Sequence, residues 1–158
     1  MPTTPLFAKL NLKDQRQLIV LDAPSSFETE LTALQQADPD LNVHRRVPAA
    51  GPVAFALAFA TTQKAVDKAT AALSARAIDD VILWMVYPKG TSKRYTCDFN
   101  RDTGWAALGE AGFEPVRMVA IDEDWSALRF RRSKHVKNFT RSADMAISAA
   151  GKARAKKK

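Results

Sequence analysis

The chain is poor in the residues that build covalent or metal frameworks. Its 158 residues include one cysteine, Cys97, and two histidines. A lone cysteine excludes an internal disulfide framework and suits a reducing cytoplasm. With two scattered histidines beside it, no metal-ligand cluster is expected. Apolar runs long enough for a bilayer are also missing: the longest are Val53–Ala60 and Val81–Tyr87. The N-terminus, MPTTPLFAKLNLKD, lacks the basic-then-apolar order of a secretory signal. A cytoplasmic protein without a membrane partner is the expectation. The chain has no G-x-x-x-x-G-K-[ST] phosphate loop and no G-x-S-x-G nucleophile turn. No internal repeat is visible.

What is present is a sizeable apolar fraction, 46%, in a length that suits one domain. The net charge of +7 and the pI of 9.8 are unevenly shared. Residues 131–158 carry ten Lys and Arg against one acid, Asp144, whereas residues 1–130 carry fourteen against sixteen. The basic character therefore belongs to the C-terminal segment, and a nucleic-acid argument from charge concerns that segment. Apolar density falls from Ser133 onward and the end, AISAAGKARAKKK, is of low complexity. The reading is a domain over residues 1–132 and a flexible basic tail over 133–158.

The centre of the sequence is Val81–Tyr87, seven consecutive apolar or aromatic residues that run into Pro88-Lys89-Gly90. Such a run reads as a strand buried on both faces, inside a parallel sheet, with parallel neighbours on both sides. Upstream, residues 6–12 are a short lead-in helix or irregular, and Leu18–Leu21 reads as a strand. Ser25 and Glu28 have capping-box spacing before a helix over about 26–36, with Phe27, Leu31 and Leu34 on one side. Leu41–Val47 is a weaker strand and Val53–Phe59 a fully apolar one. Thr61 or Thr62 caps a helix over 63–76 whose Val66, Ala69 and Leu73 face inward while Lys64, Asp67 and Lys68 look outward. Asp102 or Thr103 caps a helix over 104–111, which Gly112 ends in the left-handed conformation. Val116–Ile121 and Ala127–Arg132 form an antiparallel pair around Asp122-Glu123-Asp124, with Leu128 and Phe130 on one face and Arg129 and Arg131 on the other. The alternation implies an α/β domain: a mostly parallel sheet, helices on both faces and an antiparallel edge.

Open α/β sheets bind ligands outside the carboxyl ends of their strands. Lys89, Thr91, Ser92, Lys93 and Arg94 follow the central strand and are candidates to hold a phosphate or carboxylate, against the plainer reading of a solvated loop. Asp22, Ser25 and Ser26 follow the first strand, where capping accounts for the serines. Trp125, in the hairpin turn, either lines a pocket at the sheet end or packs in the core. Trp84 and Trp105 read as core. Asp98, Asn100, Arg101 and Asp102 offer a carboxylate beside an arginine, and a helix cap plus a surface ion pair explains them as well. Cys97 has cationic neighbours in sequence that would lower its pKa, but no histidine partner. In the tail, Lys152, Arg154, Lys156, Lys157 and Lys158 are candidates for weak, sequence-insensitive nucleic-acid contact. His135 reads as solvated.

Three segments, LWMVYPKGTSKR (83–94), GWAALGEAGFEP (104–115) and VAIDEDWSALRFRR (119–132), together with the strand order, give a resemblance. The chain resembles the Rossmann-like fold of class I methyltransferases, and more closely a bacterial family of small uncharacterised proteins of that shape. In that family a strand runs into a Pro-Lys pair and an Asp-Trp-Ser-Ala-x-Arg run closes the domain. The likeness is loose over 6–132 and good over 81–132. It implies a Rossmann-like sheet with helices on both faces and a C-terminal antiparallel hairpin. Two departures stand against a working methyltransferase. The turn after the first strand, Asp22-Ala23-Pro24-Ser25-Ser26, has no glycine to admit a cofactor, and the second strand ends in His44-Arg45-Arg46 where an acid should hold ribose hydroxyls. Neither adenosylmethionine nor NAD is expected to bind, and no cofactor is expected. The reading is a non-enzymatic binding or regulatory protein with a degenerate Rossmann-like domain. The alternatives are a protein that binds or transforms a small anionic ligand in a pocket formed by Asp22–Ser26, Lys89–Arg94 and Trp125, and a tail-driven nucleic-acid binder.

Overall fold

A computed structural model describes residues 4–13, 15–47, 51–93, 95–99 and 105–133. The elements, in chain order, are α1 (Pro5–Lys9), β1 (Gln17–Leu21), a single 3-10 turn (Ser25–Phe27), α2 (Glu28–Ala37), β2 (Asn42–His44), β3 (Val53–Phe59), α3 (Gln63–Ser74), β4 (Ala77–Pro88), α4 (Ala106–Glu110), β5 (Phe113–Ala120) and β6 (Trp125–Arg132). They build one six-stranded sheet in the order β2-β1-β3-β4-β6-β5. β1, β2, β3 and β4 are mutually parallel, while β6 runs antiparallel to both β4 and β5.

The central strand is interior, as its unbroken apolar run requires, but only its β3 neighbour is parallel. The antiparallel strand is not at the edge either. β6 inserts between β4 and β5, and β5 takes the edge. The residues explain the choice. β6 buries Trp125 and Ala127 towards one face and Leu128 and Phe130 towards the other. β5 carries Pro115, which has no N–H to give a second neighbour, a register shift between Pro115 and Arg117, and exposed Val116 and Met118. Proline, bulges and charge mark edge strands.

Two apolar layers sandwich the sheet. One holds α1 and α2, with Phe7, Leu10, Phe27, Leu31 and Leu34 packed on Val20, Leu57 and Trp84. Trp84 is fully buried and its indole Nε1 donates to the Leu10 carbonyl at 2.9 Å, tying the lead-in segment to the sheet. The other layer holds α3 and α4, with Val66, Leu73 and Leu108 on Ala56, Leu83 and Phe130.

Helix starts depart from expectation at α2 and at α4. The Ser25–Glu28 capping box does not form: Ser25 lies in the 3-10 turn, α2 begins at Glu28 without a side-chain cap, and Glu28 reaches Arg45 at 2.7 Å instead. Burial of Phe27 between Phe7 and Phe59 takes the chain through this tighter turn. Thr62 caps α3 as expected, accepting from Ala65 N at 3.1 Å. α4 begins after Trp105 with no side-chain cap, and Gly112 follows it at φ +90°. The expected caps Asp102 and Thr103 lie outside the described residues, as do residues 134–158 of the expected tail. Ser133, where that tail was to begin, is buried and donates its N–H to the Gly112 carbonyl at 3.0 Å.

Candidate functional site

The strand order reverses at β1, which has β2 on one side and β3 on the other, so the carboxyl ends of β1 and β3 form the crevice where open α/β sheets hold ligands. The two sides of that crevice differ.

On the α2 side it is closed by rings. Phe27 meets Phe59 with centroids 4.9 Å apart, Phe59 meets Trp125 at 5.2 Å, and Trp125 meets Tyr95 at 4.7 Å. Phe27, Phe59 and Trp125 are each 3% exposed. Trp125 is therefore a core residue, held in this row of rings. Its indole N–H is buried without a partner, a cost of about 1–3 kcal/mol that the surrounding ring contacts offset. The glycine missing from the turn is replaced in kind by Asp22, which adopts φ +56°. Aspartate is among the few side chains that tolerate this left-handed region.

On the α3 side the crevice is open. A cavity of about 560 Å³ lies between the ends of β1 and β2 and the flank of α3. Ala65, Ala69 and Ala72 leave the room, and Arg45, Arg46, Lys64 and Lys68 bring four cations to its wall against one carboxylate, Asp22. Arg45 is shared with Glu28 in an exposed pair, which screening makes weak. Lys64 and Lys68 stand one helical turn apart on the same side of α3. The N-terminus of α3 is already occupied, because Gln63 N donates to Asp98 Oδ1 at 2.7 Å and Ala65 N to Thr62. The cations, not the helix end, give the cavity its sign.

The loop after β4 is held in place by the hairpin turn. Lys89 N donates to the Asp124 carbonyl at 2.8 Å, Ser92 Oγ to Asp124 Oδ1 at 2.8 Å, and Tyr95 N to Ser92 Oγ at 3.2 Å. Asp122 in turn accepts from the backbone of Asp124 and Trp125. Lys89 and Ser92 line a second cavity, of about 540 Å³. Lys93 lines a smaller one, of about 330 Å³, with Thr91, Glu123 and Asp124.

The single pocket expected from sequence is thus divided. Asp22 belongs to the β1–β2–α3 cavity, Lys89 and Ser92 to the cavity beyond β4, and Lys93 to the third. Ser25 and Ser26 line none of these three, because the 3-10 turn places them on the α2 side. Arg94, Asn100, Arg101, Asp102, His135 and the tail candidates Lys152, Arg154, Lys156, Lys157 and Lys158 lie outside the described residues. Asp98 is a helix cap, for α3 rather than for the helix that follows it. Burial, more than any other influence, pushes the Cys97 thiol up from its ordinary value, so the cationic neighbours in sequence do not activate it. Sequence reasoning missed Arg45, Arg46, Lys64 and Lys68 as one group. Arg45-Arg46 was visible as a basic pair at a strand end, but nothing local linked it to α3. Among the described residues no cluster of His, Cys, Asp and Glu is arranged to hold a metal, and no helix is long and apolar enough to cross a membrane.

No protein-family model matches the chain, and no curated protein does. Solved structures do. A SAM-dependent methyltransferase from Aquifex aeolicus superposes with a TM-score of 0.59 at 13% identity, covering 80% of this chain and 87% of that one. The pyocyanin biosynthetic protein PhzM superposes with a TM-score of 0.50 at 10% identity over 77% of this chain, which spans about half, 52%, of PhzM. At such identities the likeness is one of fold: the chain has a Rossmann-like α/β fold similar to that of these structures.

Proposed function

We propose that this domain is a binding protein that holds a small anionic ligand, one bearing phosphate or carboxylate groups, in the cavity between β1, β2 and α3. The observation that supports it is the concentration of Arg45, Arg46, Lys64 and Lys68 around a space of about 560 Å³ at the reversal point of the sheet. Hydrogen bonds between guanidinium or ammonium groups and an oxyanion are about twice as strong as neutral ones. An arginine fork at the end of β2 facing two lysines on α3 suits an oxyanion with oxygens on more than one side.

The fold type raises adenosylmethionine as a ligand, and the donor set does not fit it. The end of β2 presents Arg45 and Arg46 where ribose hydroxyls need an acceptor, and Asp22 is the one carboxylate on the cavity wall among the described residues. A sulfonium cation gains nothing from a wall of cations. The α2 side of the crevice is filled by Phe27, Phe59 and Trp125. The proposed role is therefore retention of an anion, without methyl transfer.

Thermal unfolding of the full chain in citrate and in inorganic phosphate, at low ionic strength and against sodium chloride of equal ionic strength, tests this. A ligand that binds only the folded state raises Tm in proportion to the logarithm of its concentration. The wild type is expected to gain several degrees in citrate and the Arg46→Ala/Lys68→Ala double variant none. An equal gain in both proteins would show a general ion effect and remove the cavity from consideration.

A further inference from the structure

The cavity beyond β4 has a different chemistry from the anionic site, and the two share no lining residue. Three rings and a thioether, Tyr87, Tyr95, Phe99 and Met118, line it beside the hydroxyls of Ser92 and Thr96. Lys89 is its one charged lining residue among the described residues. We propose that this cavity is a second, separate binding site, for a small planar aromatic acid whose ring lies among Tyr87, Tyr95 and Phe99 and whose carboxylate meets the Lys89 ammonium.

Rigidity supports it. Tyr87 and Phe99 are buried, with centroids 5.9 Å apart, and both rest on Trp105, at 5.5 Å and 5.1 Å. Tyr95 is braced from the opposite layer by Trp125. The loop that carries Lys89 and Tyr95 is fixed to the hairpin turn through Asp124 and to the start of α3 by the bond from Asp98 N to the Thr61 carbonyl, 3.3 Å. A wall fixed before binding loses little entropy when a ring enters, which is where affinity for small planar molecules comes from. The volume, about 540 Å³, lies in the range of ordinary small-molecule pockets.

Charge and the exposed apolar group point the same way. Asp124 lies behind the wall, where it accepts from the lining Ser92, and Asp98 is held at the start of α3, so among the described residues no carboxylate lines the cavity itself. Cys97, also on the wall, keeps its proton because burial disfavours the thiolate, and adds no negative charge. Met118 is 45% exposed, the most exposed large apolar side chain among the described residues, and it sits on this cavity. The Tyr87 hydroxyl donates to its sulfur at 3.4 Å. A thioether is a weak acceptor, and a ring entering beside it gains a sulfur–aromatic contact.

The test is nuclear magnetic resonance of the full chain with isotope-labelled methionine methyl groups, titrated with 4-hydroxybenzoate, 4-hydroxybenzamide and cyclohexanecarboxylate. Four methionines make assignment simple. The Met118 methyl is expected to shift saturably with 4-hydroxybenzoate through the ring current, while buried Met85 stays in place. Cyclohexanecarboxylate should bind more weakly, for want of stacking. Lys89→Gln should weaken 4-hydroxybenzoate about tenfold or more, the loss of a charge-assisted hydrogen bond, and leave 4-hydroxybenzamide unchanged. Arg46→Ala/Lys68→Ala, at the other cavity, should change nothing. Absence of a saturable Met118 shift at millimolar 4-hydroxybenzoate would overturn the site. Equal affinity of Lys89→Gln and wild type would overturn the role of the ammonium, and equal affinity for the cyclohexane acid would overturn the aromatic preference.

Discussion

The two sides of one sheet end make the instructive comparison. On the α2 side, Phe27, Phe59, Trp125 and Tyr95 interlock over the ends of β1, β3 and β6. On the α3 side, the ends of β1 and β2 face Ala65, Ala69 and Ala72, and the space is lined with arginine and lysine. Large rings fill the crevice and stabilise the core, and small helix residues leave it open. The difference teaches that a Rossmann-like frame does not by itself assign its crevice to a cofactor. Side-chain volume on the flanking helices decides which side stays open, and charge decides what can enter.

The comparison breaks most readily on the closed side. Phe59→Ala should lower the unfolding free energy by about 3–5 kcal/mol, the usual range for removing a buried ring, read as a fall in the urea midpoint. Arg46→Ala/Lys68→Ala on the open side should stay within about 0.5 kcal/mol for each exposed position. A Phe59→Ala protein within about 1 kcal/mol of wild type would mean that the ring row does not support the fold.

Asp22 joins the two sides and sharpens the contrast. At φ +56° a β-branched residue is strained, so Asp22→Val should cost about 1–2 kcal/mol, whereas Asp22→Gly should leave stability near or above that of wild type. A tolerated valine would imply that the turn relaxes out of the left-handed region. A smaller effect concerns the wall between the cavities. Thr62→Ala and Asp98→Ala each remove one acceptor from the start of α3 and should each cost about 1 kcal/mol. If Asp98→Ala is silent, the loop after β4 is not anchored to α3 in the way its hydrogen bonds indicate. The smallest expected change is chemical. With its pKa raised by burial, Cys97 carries less thiolate than a free thiol at pH 8 and should alkylate with iodoacetamide more slowly. The rate should climb only as pH passes above the ordinary thiol range. Faster alkylation than a free thiol would contradict the burial of the loop.

Much of the frame is legible in the sequence, and the reasons are local. Val53–Phe59 is an unbroken apolar run and is a strand to the residue. The outward or inward facing of Leu128, Arg129, Phe130 and Arg131 follows from simple alternation. Legibility fails where the determinant is distant. β4 starts at Ala77, four residues before its apolar run, and its polar start is held by Asp80 pairing with Arg131 at 2.9 Å, a contact 51 residues away in sequence. The insertion of β6 beside β4 is not written in periodicity, which says how a strand faces and not which strand it joins, and β5 includes Pro115, which lies outside the strand expected over Val116–Ile121. Ser25 and Glu28 had the spacing of a capping box, and the burial of Phe27 overrode it. In the site, Arg45 and Arg46 read as the loss of an acid, and Lys64 and Lys68 read as a solvated helix face. Only the fold shows that the two sets border one cavity.

The central claim is that this cavity selects anions and rejects the cofactor its fold type suggests. Isothermal titration of the full chain with citrate and, separately, with adenosylmethionine tests it most directly. Saturable heat with citrate that disappears in the Arg46→Ala/Lys68→Ala variant, and no saturable heat with adenosylmethionine at millimolar concentration, is the result expected. Micromolar binding of adenosylmethionine, or citrate binding that survives the double substitution, would contradict it.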